Sequence, residues 1–250
     1  MQISVSEEKG VRQLHFSSRW VQGAMRIAKP WDLELEYTRE MLLPLVFNPD
    51  PQWPRNALMI GLGAGALPKF LYKNRPDCVV KVVEISPAVH AASMMHFKLP
   101  SSNPRFQIEI DCGAAYMARS NEQFDLIIID GFDENAKVGP LNSIEFYANV
   151  RKRLSPGGVV SVNLLSNQKD SEQSKVRLMD GFEGRALVLP PCSSGNVVGF
   201  GVGKESIHIT EAEFQLNLKH IQETIGLNLS ATAARMRQAQ LFPAEGLRIG

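Results

Sequence analysis

The sequence predicts an α/β protein built on a doubly wound, mainly parallel sheet, and three features of the chain carry that reading. From Asn56 onward, short apolar segments alternate with amphipathic ones in a regular strand–helix rhythm. Two of these segments, CVVKVV and LIII, are apolar on both faces, as strands must be when helices cover both sides of a parallel sheet. The first apolar segment breaks into GLGAG before the pattern resumes as a helix, which is where sheets of this class hold a ligand.

Taken in order, residues 1 to about 29 read as short strands: ISV, then VRQLHF, then WVQGAMRIA after the turn SSR. From Pro30 to Phe47 the spacing of Leu35, Met41, Leu42, Leu45 and Val46 predicts an amphipathic helix that Pro44 ends or kinks. NPDPQWPRN is a linker. The chain therefore divides into an N-terminal β-region with its linking helix, residues 1–50, and a larger sheet domain, residues 51–250. In the latter, the strands ALMIG, CVVKVVEI, FQIEI, DLIIID and GGVVSVNLL alternate with helices over ALPKFLYKN, PAVHAASMMHF, AAYMARS and SIEFYANVRKRL. After a polar helix, SEQSKVRLMDGF, two strands ALVLP and NVVGFGVG are joined by PCSSG, a hairpin that ends the sheet with an antiparallel strand. Residues Thr210 to Gln240 read as helical.

Composition narrows the function. The chain is 44% hydrophobic and 21% charged over 250 residues, with a formal net charge of +1, which supplies no global attraction for nucleic acid or an acidic membrane. Cys78, Cys112 and Cys192 are odd in number and far apart, so a disulfide framework is not expected and a reducing cytoplasm is. MQISVSEEKG lacks the basic-then-apolar plan of a signal peptide, and no apolar run approaches the ~20 residues that cross a bilayer. His15, His90, His96, His208 and His220 show no ligand spacing, so no metal is expected. No GxSxG elbow supports serine-nucleophile chemistry.

The chemistry-bearing residues gather at strand ends. Gly61, Gly63 and Gly65 follow the first sheet strand, where missing Cβ atoms let a ligand approach the backbone. The letters also satisfy a dinucleotide fingerprint. Glu84 ends the second strand, where a carboxylate can accept hydrogen bonds from a ribose diol. That much leaves NAD and a methionine-derived nucleoside as rivals. Asp111 ends the third strand, followed by Cys112 and Gly113, and can accept from an adenine amino group, a feature NAD folds do not generally need. Asp130 ends the fourth, with Asp133 shortly after in IIIDGFDENA.

As a set, these residues resemble the spermidine synthase family, the polyamine aminopropyltransferases, which use the Rossmann-like class I S-adenosylmethionine methyltransferase fold. GLGAGA is similar to the family's GGGDGG-type turn, and DGFDENAKVGP to its DSSDPxGP segment with a two-residue insertion. EFY at 145–147 matches the family's EFY, and Val21-Gln22 the VQ of its N-terminal β-region. The resemblance implies ribose binding by Glu84 with Ile85 beside it, and adenine binding by Asp111 with Cys112 and Gly113. It further implies a nucleoside contact from Gln22, Asp130 as the base or orienter at the cofactor edge, Asp133 as the amine anchor, and Tyr147 lining the amine pocket. The implied cofactor is decarboxylated S-adenosylmethionine or S-adenosylmethionine, leaving methylthioadenosine or S-adenosylhomocysteine. A small-molecule amine is the implied partner, and a homodimer the implied assembly.

Two departures bear on function. Ala64 replaces the turn's aspartate, which in the family meets the aminopropyl amine. Two unit charges about 4 Å apart interact by roughly 4 kcal/mol at an effective dielectric near 20. Alanine therefore removes both an attraction for the amine and a repulsion against the carboxylate of intact S-adenosylmethionine. The family's YHEM becomes TREM, so Thr38 and Arg39 replace an aromatic and a histidine, and Arg39 could meet a carboxylate. Three readings follow: an aminopropyltransferase acting on a (poly)amine, a methyltransferase using intact S-adenosylmethionine, and a non-catalytic nucleoside-binding protein.

Overall fold

A computed structural model of the chain describes residues 3–16, 21–131, 139–165 and 171–250. Three N-terminal strands, β1 (Ile3–Glu8), β2 (Val11–Phe16) and β3 (Val21–Arg26), form an antiparallel sheet with an irregularity between Leu14 and His15. The expected single helix before the linker is two short ones, α1 (Glu36–Glu40) and α2 (Pro44–Phe47). Pro44 opens the second helix rather than closing the first: at that position its missing N–H breaks no intrahelical bond.

The main sheet follows. Its elements are β4 (Asn56–Ile60), α3 (Ala66–Asn74), β5 (Val79–Glu84), α4 (Pro87–His96), β6 (Phe106–Ile110), α5 (Gly113–Arg119), β7 (Phe124–Ile129), α6 (Ile144–Lys152), β8 (Leu154–Leu165), α7 (Ser171–Gly181), β9 (Ala186–Val188) and β10 (Asn196–Val202). The strand order is β6-β5-β4-β7-β8-β10-β9. β4 to β8 pair in parallel, and β10 runs antiparallel to both β8 and β9. The predicted doubly wound sheet with an antiparallel C-terminal strand is present. Alternation along β4 shows why its strands read as apolar throughout: Ala57 and Met59 enter one core, Leu58 and Ile60 the other. The first core also takes Leu14 and Met25 from the N-terminal sheet, fixing that sheet against α3 and α4.

The helical tail is divided. α8 (Glu211–Ile225) starts on Thr210, whose hydroxyl accepts from the Glu213 N–H while Glu213 accepts in return, a capping box. Gly226, left-handed with φ +71°, ends it. A separate α9 (Ser230–Gln238) follows. Two three-residue strands that local pattern does not announce, β11 (Ile207–Ile209) and β12 (Leu247–Ile249), pair antiparallel across this tail.

Candidate active site

β4 pairs with β5 on one side and β7 on the other, so the chain turns opposite ways at their carboxyl ends and opens a crevice there. A cavity of about 640 Å³ occupies it, within the range of small-molecule sites. Gly61 and Gly63 line its floor. A Cβ on Gly61 would lie 2.2 Å from the Asp130 carbonyl oxygen, so only glycine lets the ends of β4 and β7 meet. Strand β3 forms the roof: a Cβ on Gly23 would lie 2.6 Å from that of Ala64, and Gln22 lines the same space.

Glu84 is buried at 6% exposure and faces the cavity. Its Oε2 accepts from the Leu62 N–H at 2.8 Å and its Oε1 from the Ser86 N–H at 2.8 Å. Burial pushes its pKa above the ordinary value, and the N–H bonds oppose that rise. The carboxylate thus braces the glycine turn while keeping acceptor capacity for a ligand. Ile85, exposed, sits at the mouth, and Cys112 and Gly113 line the wall.

Asp130 is partly buried at the tip of β7. Its Oδ1 accepts from Asn163 Nδ2 at 2.8 Å and its Oδ2 from the Tyr37 hydroxyl at 3.1 Å. Desolvation raises its pKa, and the two hydrogen bonds act against that. Burial, with Asp130 close by, raises the Tyr37 pKa well above the usual phenol value, so this hydroxyl stays protonated as a donor.

Several expected site residues take other places. Asp111 does not line the cavity: its Oδ1 accepts from the Cys112 N–H at 2.7 Å and its Oδ2 pairs with Arg119. The guanidinium holds its carboxyl below the usual aspartate range. Gly65 lies behind the turn as the left-handed cap of α3, facing Leu99 rather than the cavity. Tyr147 is fully buried among Phe146 and Phe182, its hydroxyl 3.3 Å from Asn142 Oδ1, and is a core residue rather than a pocket wall. Arg39 donates to the carbonyls of Leu33 and Glu34 and does not reach the cavity. Asp133 lies outside the described residues.

Other residues join the site unannounced. Tyr37, one position before TREM, lines the cavity and donates to Asp130. Asn163 was legible as a lone amide near the end of the apolar strand GGVVSVNLL. Glu36 lines the cavity rim, accepting from the Ser193 N–H at 3.2 Å, from the Ser193 hydroxyl, and from Arg235 at 2.6 Å. Its pKa is lowered, mainly by the Ser193 hydroxyl. Among the described residues, the lining carries three carboxylates, Glu36, Glu84 and Asp130, and no lysine, arginine or histidine.

Comparison with known proteins gives the family. A model of the spermine/spermidine synthase domain matches residues 35–212. A polyamine aminopropyltransferase of Chromobacterium violaceum is 33% identical over 249 residues, 99% of this chain and 94% of that protein. One from Neisseria meningitidis is 34% identical over 196 residues, 78% of this chain and 74% of that protein. Among solved structures, a probable spermidine synthase from Corynebacterium glutamicum matches with a TM-score of 0.72 at 18% identity, covering 93% of this chain and 91% of that one. Human methyltransferase-like protein 13, solved with SAH, matches at 0.68 and 22% identity, covering 77% and 93%. At such identities the two structures speak to the fold, which is that of the class I methyltransferases. Since the domain model spans most of the sequence and a relative aligns almost end to end, the chain belongs to the spermine/spermidine synthase family.

Proposed function

We propose that this protein transfers an aminopropyl group from decarboxylated S-adenosylmethionine to a small (poly)amine. Family membership supports the reaction class, and the observation that carries the choice of nucleoside is the charge of the cavity. A decarboxylated tail is cationic, and a lining with carboxylates but no basic side chain among the described residues suits it. Intact S-adenosylmethionine adds a carboxylate that no described basic side chain there would meet. A methyltransferase reading keeps one point in its favour, Ala64, which removes the acid that would repel that carboxylate.

The residues present fit the nucleoside. The glycine turn leaves its backbone bare, and Glu84 retains acceptor capacity for a ribose diol. Cys112 and Gly113 supply the wall against which a base would lie, with Gln22 overhead. Asp111 keeps acceptor capacity beside Arg119 but does not line the cavity, so an adenine contact from it would need its side chain to turn. When bound, the nucleoside supplies a carbon activated by the adjacent sulfonium.

Asp130 acts on the acceptor. An alkylammonium, with a pKa near ~10.4, cannot attack until it loses a proton. Asp130 holds the cation and takes one proton at a carboxylate oxygen, which frees the nitrogen lone pair; the N–C bond then forms as the C–S bond breaks, and the proton passes to solvent. Tyr37 and Asn163 keep that carboxylate oriented. Asp133, after the same strand, serves in this reading as a second amine anchor. Cytoplasmic residence, in keeping with three unpaired cysteines, and a homodimeric assembly complete the proposal.

Incubating the purified protein with decarboxylated S-adenosylmethionine and putrescine tests it. Methylthioadenosine and spermidine should form in equal amounts, and Asp130→Asn should reduce the rate at least about a hundredfold, in the range of general base catalysis. Nucleoside bound without product would contradict the assignment.

A further inference from the structure

From Asp130 a line of uncharged polar side chains runs along the cavity wall, where Asn163, Ser194 and Asn196 are lining residues. Asn163 Nδ2 lies 2.8 Å from Asp130 Oδ1, Asn196 Nδ2 3.0 Å from Asn163 Oδ1, and the Ser194 hydroxyl 2.7 Å from Asn196 Oδ1. Cys192 Sγ closes the line 3.0 Å from Ser194 Oγ. Asn163 belongs to β8, Asn196 begins β10, and Ser194 and Cys192 lie in the loop before it. Both asparagines are buried.

The chemistry of each group dictates one direction along this line. An ionised Asp130 only accepts, so Asn163 must turn its NH2 toward it and its carbonyl toward Asn196. That carbonyl needs a donor, so Asn196 presents its own NH2 and turns its carbonyl to Ser194. The serine hydroxyl then spends its one proton on Asn196, and the Cys192 thiol is the donor behind it. Reversing either amide would set two acceptors, or two donors, face to face in a buried place.

We infer that Asn196, backed by Ser194, is a positioning residue for the transfer reaction: it locks the Asn163 amide so that its NH2 faces Asp130. The inference rests on the proposed role of Asp130 and extends it to a strand and loop that do not touch that carboxylate. Among the described residues, Tyr37 on α1 is the titratable group bonded to Asp130. β8 presents the neutral Asn163, and the Ile60 carbonyl at the end of β4 accepts from the Asp130 N–H. Cys192 stands at the far end of the line.

Asn196→Asp tests it, being isosteric yet unable to donate to Asn163 when ionised. It should turn the Asn163 amide over and set a carbonyl against Asp130. The expected result is a fall in kcat of about tenfold or more, the size of one lost charge-assisted hydrogen bond, with the acidic limb of the kcat profile moved to higher pH. Because Asn196 also lines the cavity, kcat and its pH profile carry the readout rather than methylthioadenosine affinity, and a cooperative thermal unfolding transition reports an intact fold. Ser194→Ala, which frees the Asn196 amide without adding charge, should move kcat the same way by a smaller factor. Wild-type kcat and pH profile in both variants, with Asp130→Asn inactive, would overturn the positioning role alone. Full activity in Asp130→Asn would overturn the assignment of Asp130 and this inference with it.

Discussion

Glu84 and Asp130 stand at the tips of strands flanking β4, and burial raises the pKa of both, yet their surroundings assign them different work. Glu84 is tied to two backbone N–H groups and so to the shape of the glycine turn. Asp130 is held by two side chains, the Asn163 amide and the Tyr37 hydroxyl, and so is tied to the elements that carry them. Glu84→Gln keeps the size but brings an NH2 toward backbone donors. We expect it to weaken methylthioadenosine binding by about 1–3 kcal/mol, the cost of a mismatched buried polar group, measured by calorimetry. Unchanged affinity would remove Glu84 from the nucleoside site.

Lys69 gives a separate prediction at this scale. It is almost wholly buried, donates to the Phe97 carbonyl at 2.6 Å and lies 3.4 Å from Met25 Sδ. Desolvation lowers its pKa from 10.5 to about 8. The native state therefore binds fewer protons than the unfolded chain between those values, and this group makes stability rise with pH across that window. The unfolding free energy of wild type, relative to Lys69→Met, should increase by about 3 kcal/mol from pH 8 to pH 10.5. A flat difference would mean that the lysine finds a better partner than the carbonyl.

At the scale of elements, α9 and α1 are joined by an arginine shared between acids. Arg235 pairs with Glu36 at the cavity rim and with the fully buried Glu40, which also accepts from the Thr232 hydroxyl at 2.9 Å. Removing the cation strands a buried carboxylate. Arg235→Met should cost about 3–5 kcal/mol in denaturant unfolding, and adding Glu40→Gln should return much of it. β3 makes a comparable contact from the other side. Gly23→Ala would push against the Ala64 backbone nitrogen at 2.8 Å, and the strand must retreat, at a cost of about 1–3 kcal/mol.

These elements also show what could be read from the chain. The central strands were legible because burial on both faces leaves an unbroken apolar run, and the strand-tip residues Glu84 and Asp130 followed from the strands. Pro44 was not, because a proline tolerated at the first turn of a helix looks the same in sequence as one that ends a helix. β11 and β12 were hidden because three residues carry no periodicity and pair only through the folded tail. Asp111 stands at its expected strand end, but its pairing with Arg119, from the far end of the following helix, depends on packing that the local pattern does not show. Tyr37 escaped because contact with Asp130 depends on how α1 packs over the sheet, not on the motif's alignment.

For the whole molecule, the sheet, the N-terminal roof and the β9–β10 loop enclose one cavity whose described lining has acids and no bases. In the proposed reading, that distribution favours a cationic tail over a zwitterionic one without the aspartate that Ala64 replaces. The most direct measurement is a calorimetric titration of the purified protein with decarboxylated and with intact S-adenosylmethionine under the same conditions. Decarboxylated S-adenosylmethionine should bind at least about tenfold more tightly, or ~1.4 kcal/mol. Equal or tighter binding of the intact molecule would contradict the account and turn the protein toward methyl transfer.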